Sequence, residues 1–215
     1  MIKTFEEFVN ENFYNEHEDD DNRIYNYHPK TNDELIKLVN SLIEERGVEA
    51  DLNDIDTSGI TEMQAVFQKT KFNGDISKWD VSNVKNMTYM FERSYFNGDI
   101  SQWDVSNVED MGAMFSYSEF DGDISNWDVS NVKDMSYMFA GSKFNGDISQ
   151  WDVSNVKDMS HMFEESEFDG DISSWNVSNV ENMSSMFANS EFTEKDISQW
   201  NVDPDIVKMM MGEEQ

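Results

Sequence analysis

The chain of 215 residues contains no cysteine and only 2 prolines, and no stretch approaches the roughly 18 consecutive apolar residues of a membrane-spanning helix. Without cysteine, neither disulfides nor thiolate metal sites can hold the fold together. The N-terminal sequence MIKTFEEFVNENF lacks the apolar run of a secretory signal peptide. We therefore expect a fold that depends on packing alone, with no transmembrane segment and no export signal.

Basic residues are also scarce: 15 Lys and Arg stand against 45 Asp and Glu, which gives a formal net charge of −30. Nucleic-acid binding depends on Lys and Arg that neutralise phosphates, so this charge argues against a nucleic-acid partner. It suits a basic protein partner or a divalent cation. The aromatic fraction of 13% favours a folded chain, because disordered segments are poor in aromatic residues.

What the chain does have is an internal repeat of 24 residues, such as FNGDISQWDVSNVEDMGAMFSYSE at 96–119. A fixed period of this length indicates a solenoid, in which each copy buries its apolar face against its neighbours. A degenerate copy at 51–60 precedes the regular ones, and a partial copy begins at Asp196. One Trp per copy marks the period, and we expect a buried structural stack: Trp79, Trp103, Trp127, Trp151, Trp175 and Trp200.

Each copy divides into segments with different patterns. Asn97-Gly98 predicts a turn, and Ile-Ser-x-Trp-Asp-Val predicts a short strand in which Trp and Val share one face. The spacing of Val108, Met111, Met114 and Phe115 predicts a helix of about two turns, whose Met side chains belong to the core. The sequence therefore predicts an α/β solenoid with one short parallel strand and one short helix per 24-residue turn.

The rest of the chain divides at changes in pattern. We expect an amphipathic segment at 1–13, an acidic linker at 14–30, a capping helix at 31–49, the repeats at 50–203 and a C-terminal tail at 204–215. The capping helix has a capping box at Thr31 and Glu34 and a stop signal at Gly47.

The unit FNGDISxWDVSNVxxMxxMFxxS resembles the repeat of BspA-like leucine-rich repeat proteins of bacterial surfaces, over about residues 50–203. This resemblance implies a leucine-rich-repeat-like solenoid that acts in adhesion or protein recognition at the cell surface, and it carries over no catalytic residues. The segment MIKTFEEFVNE is similar to the capsid-targeting peptide of internal proteins of large tailed phages, which implies cleavage after Glu11 and a virion-associated protein. An ordinary amphipathic helix is the alternative interpretation of that segment.

Two columns of acidic residues recur once per copy. The column that follows the turn glycine is interpreted as turn residues bonded to the backbone, with calcium ligands as the alternative: Asp75, Asp99, Asp123, Asp147 and Asp171. The second column is predicted to lie mid-strand on the exposed sheet face, and we call it the acidic stripe: Asp80, Asp104, Asp128, Asp152 and Asn176. Like charges at strand spacing repel, so backbone N–H donors, bound cations or a partner must offset the repulsion. Because this column is predicted on the exposed face, it is the candidate recognition site.

The sequence shows no catalytic constellation, since its three His are unrelated to the repeat and no carboxylate pair stands apart from the rest. We predict a non-enzymatic, monomeric protein-recognition or adhesion module with no cofactor. Two alternatives stay open, a packaged phage protein and a glycan-binding module that uses Trp and Asp. Because no signal peptide is visible, we expect a cytoplasmic or virion-associated protein, whereas the bacterial resemblance implies the cell surface.

Overall fold

The computed structural model describes residues 17–18, 24–190, 192 and 197–212. Its regular elements are a two-residue antiparallel ladder and two helices. The ladder pairs β1 (His17–Glu18) with β2 (Ile24–Tyr25), and the helices are α1 (Asn32–Arg46) and α2 (Pro204–Met210). Between α1 and α2, the 24-residue copies lie one on the next, joined by parallel bridges such as Asn86↔Asp110 and Asp110↔Asp134.

The predicted α/β leucine-rich-repeat-like fold is wrong, because the described parts of the copies contain neither a β-strand nor an α-helix. The segment predicted as a strand bends instead into a turn, in which the Trp79 N–H donates to the Ile76 carbonyl at 3.1 Å. Only isolated residues pair between copies, so no continuous ladder forms.

The segment predicted as a helix fails for a related reason. Alternate N–H groups, those of Met87, Tyr89 and Phe91, donate to carbonyls of the following copy at 2.9–3.0 Å. The intervening N–H groups of Met90 and Glu92 donate three residues back, as in β-turns. No N–H group of this run is left for the i→i−4 bonds of an α-helix.

The run of turns requires left-handed backbone at two positions per copy. At the first position φ lies between 52° and 60°, and the residues there are Ala65, Tyr89, Ala113, Tyr137, His161 and Ser185. The other has φ between 52° and 60° in Lys69, Arg93, Tyr117, Gly141, Glu165 and Asn189. Non-glycine residues rarely adopt this region, and each pays roughly 1–2 kcal/mol to do so. The hydrogen bonds and packing between copies must therefore hold the backbone in this unfavourable conformation.

We expect Lys69→Gly to raise the free energy of unfolding by about 0.5–1 kcal/mol. Glycine removes the Cβ clash at φ 58°, and this gain exceeds the extra entropy of the unfolded chain. Lys71→Gly is the matched control, because Lys71 is also exposed, has no positive φ and loses the same charge. Urea unfolding measures both. Equal loss of stability in the two variants would show that the left-handed backbone carries no strain.

Aromatic rings fill the interior of the stack. Phe96 and Phe120 lie in one column with ring centroids 6.3 Å apart, and Phe91 and Phe115 lie in a second column at 5.5 Å. The columns contact each other, since the Phe115 and Phe120 centroids are 4.3 Å apart. All four rings are fully buried. The Met side chains predicted for the core are buried too, as at Met111 and Met114.

The N-terminal end of the stack is covered by α1. Thr31 caps the helix by accepting a hydrogen bond from the Glu34 N–H, and Gly47 ends it. The helix buries Leu35, Leu38, Val39 and Leu42 in the same core as the copies. The predicted N-terminal segment 1–13, with the cleavage site after Glu11, lies outside the described residues, as does Asp196.

Part of the predicted linker packs on the first copy. Tyr27 is buried and pairs in parallel with Ile55. Arg46 of α1 joins this segment to the copy, because its guanidinium forms two bonds of 3.0 Å with Asp54 and donates to the Tyr27 hydroxyl at 3.1 Å. These contacts hold the pKa of Arg46 above its ordinary value, chiefly through the hydrogen bonds with Asp54. Residues 25–29 are therefore part of the folded end of the stack.

The C-terminal tail supplies the second cap. Asp203 caps α2 by accepting a hydrogen bond from the Asp205 N–H, and Pro204 occupies the first turn. The Ser185 and Phe187 N–H groups, which in earlier copies would donate to the next copy, donate to the Met209 and Met210 carbonyls at 2.9 Å. Met210 is fully buried. The helix thus satisfies the backbone of the last copy, as a terminal cap must.

Candidate functional site

The acidic stripe lies in a turn and not in a strand, so the predicted position on a sheet face is wrong. Asp104 Oδ1 accepts hydrogen bonds from the Ser106 N–H at 3.1 Å and from the Ser106 hydroxyl at 2.6 Å. The Asp128, Asp152 and Asn176 side chains accept the corresponding N–H bond from the Ser two residues on. Each stripe residue therefore opens an Asx turn, which explains its recurrence structurally.

The first acidic column makes the same kind of turn. Asp99 Oδ1 accepts from the Ser101 N–H at 3.0 Å, and Asp75, Asp123, Asp147 and Asp171 accept from their own Ser in the same way. Hydrogen bonds from the Ser N–H and hydroxyl lower the pKa of Asp123, Asp147 and Asp171. For Asp147, the charges of Asp123 and Asp171 act in the opposite direction, so repulsion along the column is present but weaker than the hydrogen bonds.

The stability linked to these carboxylates depends on pH with a definite sign. A folded-state pKa below the ordinary value of 3.8 means that the ionised group stabilises the fold above that pH. This contribution is lost as the pH falls through the folded-state pKa. At neutral pH Asp123, Asp147 and Asp171 are therefore ionised.

A third column completes the pattern and was missed by the sequence interpretation. Asp110 Oδ1 accepts from the Gly112 N–H at 2.9 Å, and Asp134 Oδ1 accepts from the Ser136 N–H at 2.8 Å. The other members behave alike at Asn86, Asp158 and Asn182. The available signal was the spacing of Asp or Asn two residues before Ser or Thr, which occurs three times in most copies.

The Trp side chains are buried and bonded to the preceding copy. Trp103 Nε1 donates to the Ile76 carbonyl at 3.2 Å, and the ring is 4% exposed. The same bond and similar burial occur at every Trp: Trp79, Trp127, Trp151, Trp175 and Trp200. Neighbouring side chains thus cover the ring faces that a glycan site on this column would need.

Metal ligands do not converge anywhere in the described ranges. No three His, Asp or Glu side chains there form a group that could hold a metal ion. The calcium alternative at Asp75, Asp99, Asp123, Asp147 and Asp171 stays a prediction. His28 lies 3.0 Å from a carboxylate oxygen of Asp56, and His161 lies 2.8 Å from a carboxylate oxygen of Glu164. Neither helix of the described chain is long and apolar enough to cross a membrane.

The same bonds recur in register over the described copies, and the chain that forms them matches a known family model. The family model described as "Mycoplasma protein of unknown function, DUF285" matches residues 37–143 and 116–213. The chain belongs to this family. No curated protein and no solved structure matches it.

Membership in the DUF285 family confirms the broad part of the sequence resemblance, a bacterial repeat family, from residue 37 within α1 through the copies to the end of α2. The family description gives no function, and the narrower BspA-like assignment stays a prediction. Any functional conclusion must therefore come from the surfaces of this chain.

We expect the acidic stripe to tolerate Asn but not Ala. In Asp104→Asn/Asp128→Asn/Asp152→Asn the Oδ1 acceptor remains, as Asn176 shows in its own copy, and the Asx turns persist. The corresponding triple Ala variant removes the acceptors and should lose about 0.5–1 kcal/mol per copy. Thermal melting at low and high salt measures both variants.

Salt provides the second comparison for the stripe. The Asn variant removes repulsion between copies, so its melting temperature relative to the native chain should be highest at low salt and fall as salt screens the charges. A triple Asn variant that melts as low as the triple Ala variant would contradict this account. The carboxylate charge itself would then be required for the fold.

Proposed function

We propose that the chain is a non-enzymatic protein-recognition module whose acidic stripe binds a basic partner. The observation that carries this proposal is the preformed line of exposed carboxylates. Asp104, Asp128 and Asp152 are exposed in three successive copies, and each has its Oδ1 held by the turn. The second oxygen of each carboxylate is the group offered to a partner.

Rigidity makes such a line useful for recognition. A carboxylate held by hydrogen bonds from its own backbone loses little side-chain entropy when a Lys or Arg approaches, which reduces the cost of binding. The Asp152 pKa is lowered by the Ser154 hydroxyl and N–H, so the charge persists at neutral pH. Preorganised charge of one sign also accelerates encounter with an oppositely charged surface.

Three lysines of the copies pair with glutamates outside the stripe. Lys133 pairs with Glu109, Lys143 with Glu119 and Lys157 with Glu181, all at exposed positions. These pairs cross from one copy to a neighbouring copy, and each is worth little in water. They leave a large excess of acid on the surface, in line with the net charge of −30.

The regular bonding pattern favours recognition over catalysis. Catalytic groups need pKa values set apart from those of their neighbours, which requires a local break in the pattern. In the first acidic column, Asp99, Asp123 and Asp147 instead repeat the same hydrogen bond from copy to copy. A basic segment that runs along the stack would meet the same group at each step.

The proposal is tested by comparing two triple variants of equal charge. Asp104→Asn/Asp128→Asn/Asp152→Asn changes the stripe, and Asp99→Asn/Asp123→Asn/Asp147→Asn changes the first column in the same three copies. Both sets are exposed, so both remove three surface charges. The probe is a fluorescently labelled peptide that is rich in Lys and Arg, titrated by anisotropy at low and physiological salt.

We expect the stripe variant to bind the peptide about tenfold more weakly than the native chain, and the first-column variant to bind nearly as the native chain does. If both variants bound the peptide equally weakly, total charge alone would explain the affinity, and the stripe would be overturned as a recognition site. An unchanged affinity in both would overturn the basic-partner proposal.

A further inference from the structure

A column of exposed side chains on the stack contains a gap. At the first left-handed position of each copy, Tyr89 and Tyr137 are 47% and 41% exposed, and the copy between them has Ala113. In two neighbouring copies that both have a ring at this position, Tyr137 and His161, the rings stack. Their centroids are 4.3 Å apart and the angle between the ring planes is 8°. Ala113 therefore interrupts an aromatic column between two exposed tyrosines.

The gap is an open cavity of about 320 Å³ on the surface. Its two sides are Tyr89 and Tyr137, and Ala113 with Gly112 lies between them. Equivalent core rings two copies apart, Phe91 and Phe139, are separated by two steps of 5.5 Å and 5.8 Å, or about 11 Å. A group placed midway would lie within the roughly 6 Å at which a cation interacts with each ring face.

The charge of the cavity is negative. Asp110 and Asp134 line it, and each uses Oδ1 to accept the N–H of its own turn. Their remaining oxygens are available to a donor. The pKa of Tyr137 is raised by burial and by the charges of Glu164 and Asp158, so the phenol stays neutral and its ring remains an acceptor for a cation.

The chain shows the same chemistry one position away. Arg93 lies over the Tyr117 ring, with its guanidinium carbon 4.7 Å from the centroid, and its Nε is 3.1 Å from Glu92 Oε1. Glu92 also lines the cavity. A guanidinium held by a tyrosine face and a carboxylate is thus an arrangement that this surface already forms within itself.

We propose that the cavity between Tyr89 and Tyr137 binds the guanidinium of an arginine from a partner protein. The group is planar, stacks on aromatic faces and presents several N–H donors to carboxylates, whereas the compact ammonium of lysine does none of the stacking. The excess of 30 negative charges favours a cation over a neutral ring such as a sugar. This inference rests on the proposed recognition of a basic partner, and it identifies arginine as the partner's residue that enters the cavity.

The test uses three short peptides that differ at one central residue, Arg, Lys or citrulline, with neutral flanking residues. Citrulline has nearly the shape of arginine without its charge. Affinities for the native chain are measured by NMR titration at physiological salt. We expect the Arg peptide to bind at least about fivefold more tightly than the other two. Equal binding of the Arg and Lys peptides would overturn the proposal.

Two variants locate the site. Ala113→Tyr fills the gap with no change of charge, at a backbone position where Tyr89 and Tyr137 already occur. Tyr89→Gly removes one ring and keeps a residue that accepts positive φ. Each should weaken binding of the Arg peptide at least about fivefold. Tyr95→Ala, which removes a ring 58% exposed outside the cavity, is the control and should leave the affinity unchanged.

Thermal melting shows whether each variant is folded, and Tyr89→Gly decides the result if Ala113→Tyr does not fold. Unchanged binding of the Arg peptide in Tyr89→Gly would overturn the proposed site. The proposal would also be overturned if a neutral hexose shifted the Tyr89 and Tyr137 resonances and the Arg peptide did not. The triple Asn variant of the acidic stripe distinguishes the two proposals. If that variant binds the Arg peptide as tightly as the native chain does, the proposed arginine site in the cavity is supported even when the stripe proposal is overturned.

Discussion

Replacing Phe120 by alanine is expected to reduce the free energy of unfolding by about 3–5 kcal/mol. The Phe120 ring is fully buried, and its centroid lies 6.3 Å from those of Phe96 and Phe144 in the copies on either side. Its closest ring is Phe115 at 4.3 Å. The substitution therefore opens a cavity that touches three copies. Because each copy is stabilised only by its neighbours, a cavity in the middle weakens the coupling between the two halves of the stack.

Urea unfolding followed by Trp fluorescence measures this loss, with Tyr95→Ala as the matched control. Tyr95 is the last residue of the copy before Phe96, and its side chain is 58% exposed, so truncation should change stability by less than about 0.5 kcal/mol. A broadened or biphasic transition in Phe120→Ala would indicate that the halves separate. Similar transitions in both variants would contradict the assignment of Phe120 to the core.

Gly74→Ala is expected to detach the N-terminal cap from the first regular copy, at a cost of about 3 kcal/mol or more. A Cβ at this position would lie 2.0 Å from the Ala50 carbonyl oxygen and 2.8 Å from the Ala50 nitrogen. The backbone there cannot yield easily, because the Asn73 N–H donates to Val48 and the Asp75 N–H donates to Ala50 at 2.8 and 3.0 Å. The collision thus breaks bonds that join the segment after α1 to the stack.

Gly59→Ala is the control for this prediction. No atom lies within 4 Å of a Cβ at Gly59, and its φ is not in the left-handed region. The substitution should therefore be neutral or stabilise by a few tenths of a kcal/mol through the unfolded chain. Hydrogen exchange of the α1 amides reports the cap directly. Protection of α1 that is the same in Gly74→Ala and Gly59→Ala would show that the backbone absorbs the Cβ.

The composition of the interior could be predicted from the sequence, because apolar residues that recur at a fixed period must face one another when copies stack. Trp103, Met114 and Phe115 are buried in their copy, as their equivalents are in the others. The N-cap at Thr31 was equally readable, but the Glu34 carboxylate accepts from the Lys30 N–H, so the predicted capping box forms only in its Thr31 half. Most of the third Asx column could have been found from its Asp-x-Ser or Asn-x-Ser spacing, including Asp134 of the cavity between Tyr89 and Tyr137, but not Asp110, which is followed by Gly112.

The local backbone could not be predicted in this way. Met111, Met114 and Phe115 have a helical spacing, and Trp103 and Val105 have a strand spacing, yet both segments are turns. Turns can place the same side chains inward, so the apolar period does not distinguish them from regular elements. The left-handed φ of Tyr89 and Arg93 is also invisible in the sequence, because neither residue favours it.

The sequence by itself determined the 24-residue period, the residues that fill the core and the excess of acid, because these depend only on which residues recur. Only the tertiary structure decided the path of the backbone within each copy. An N–H such as that of Tyr89 can donate within its own segment or to the next copy, and its bond to the Gly112 carbonyl exists only once the copies have stacked. The same stacking places Tyr89 and Tyr137 on either side of Ala113, and so creates the cavity between them.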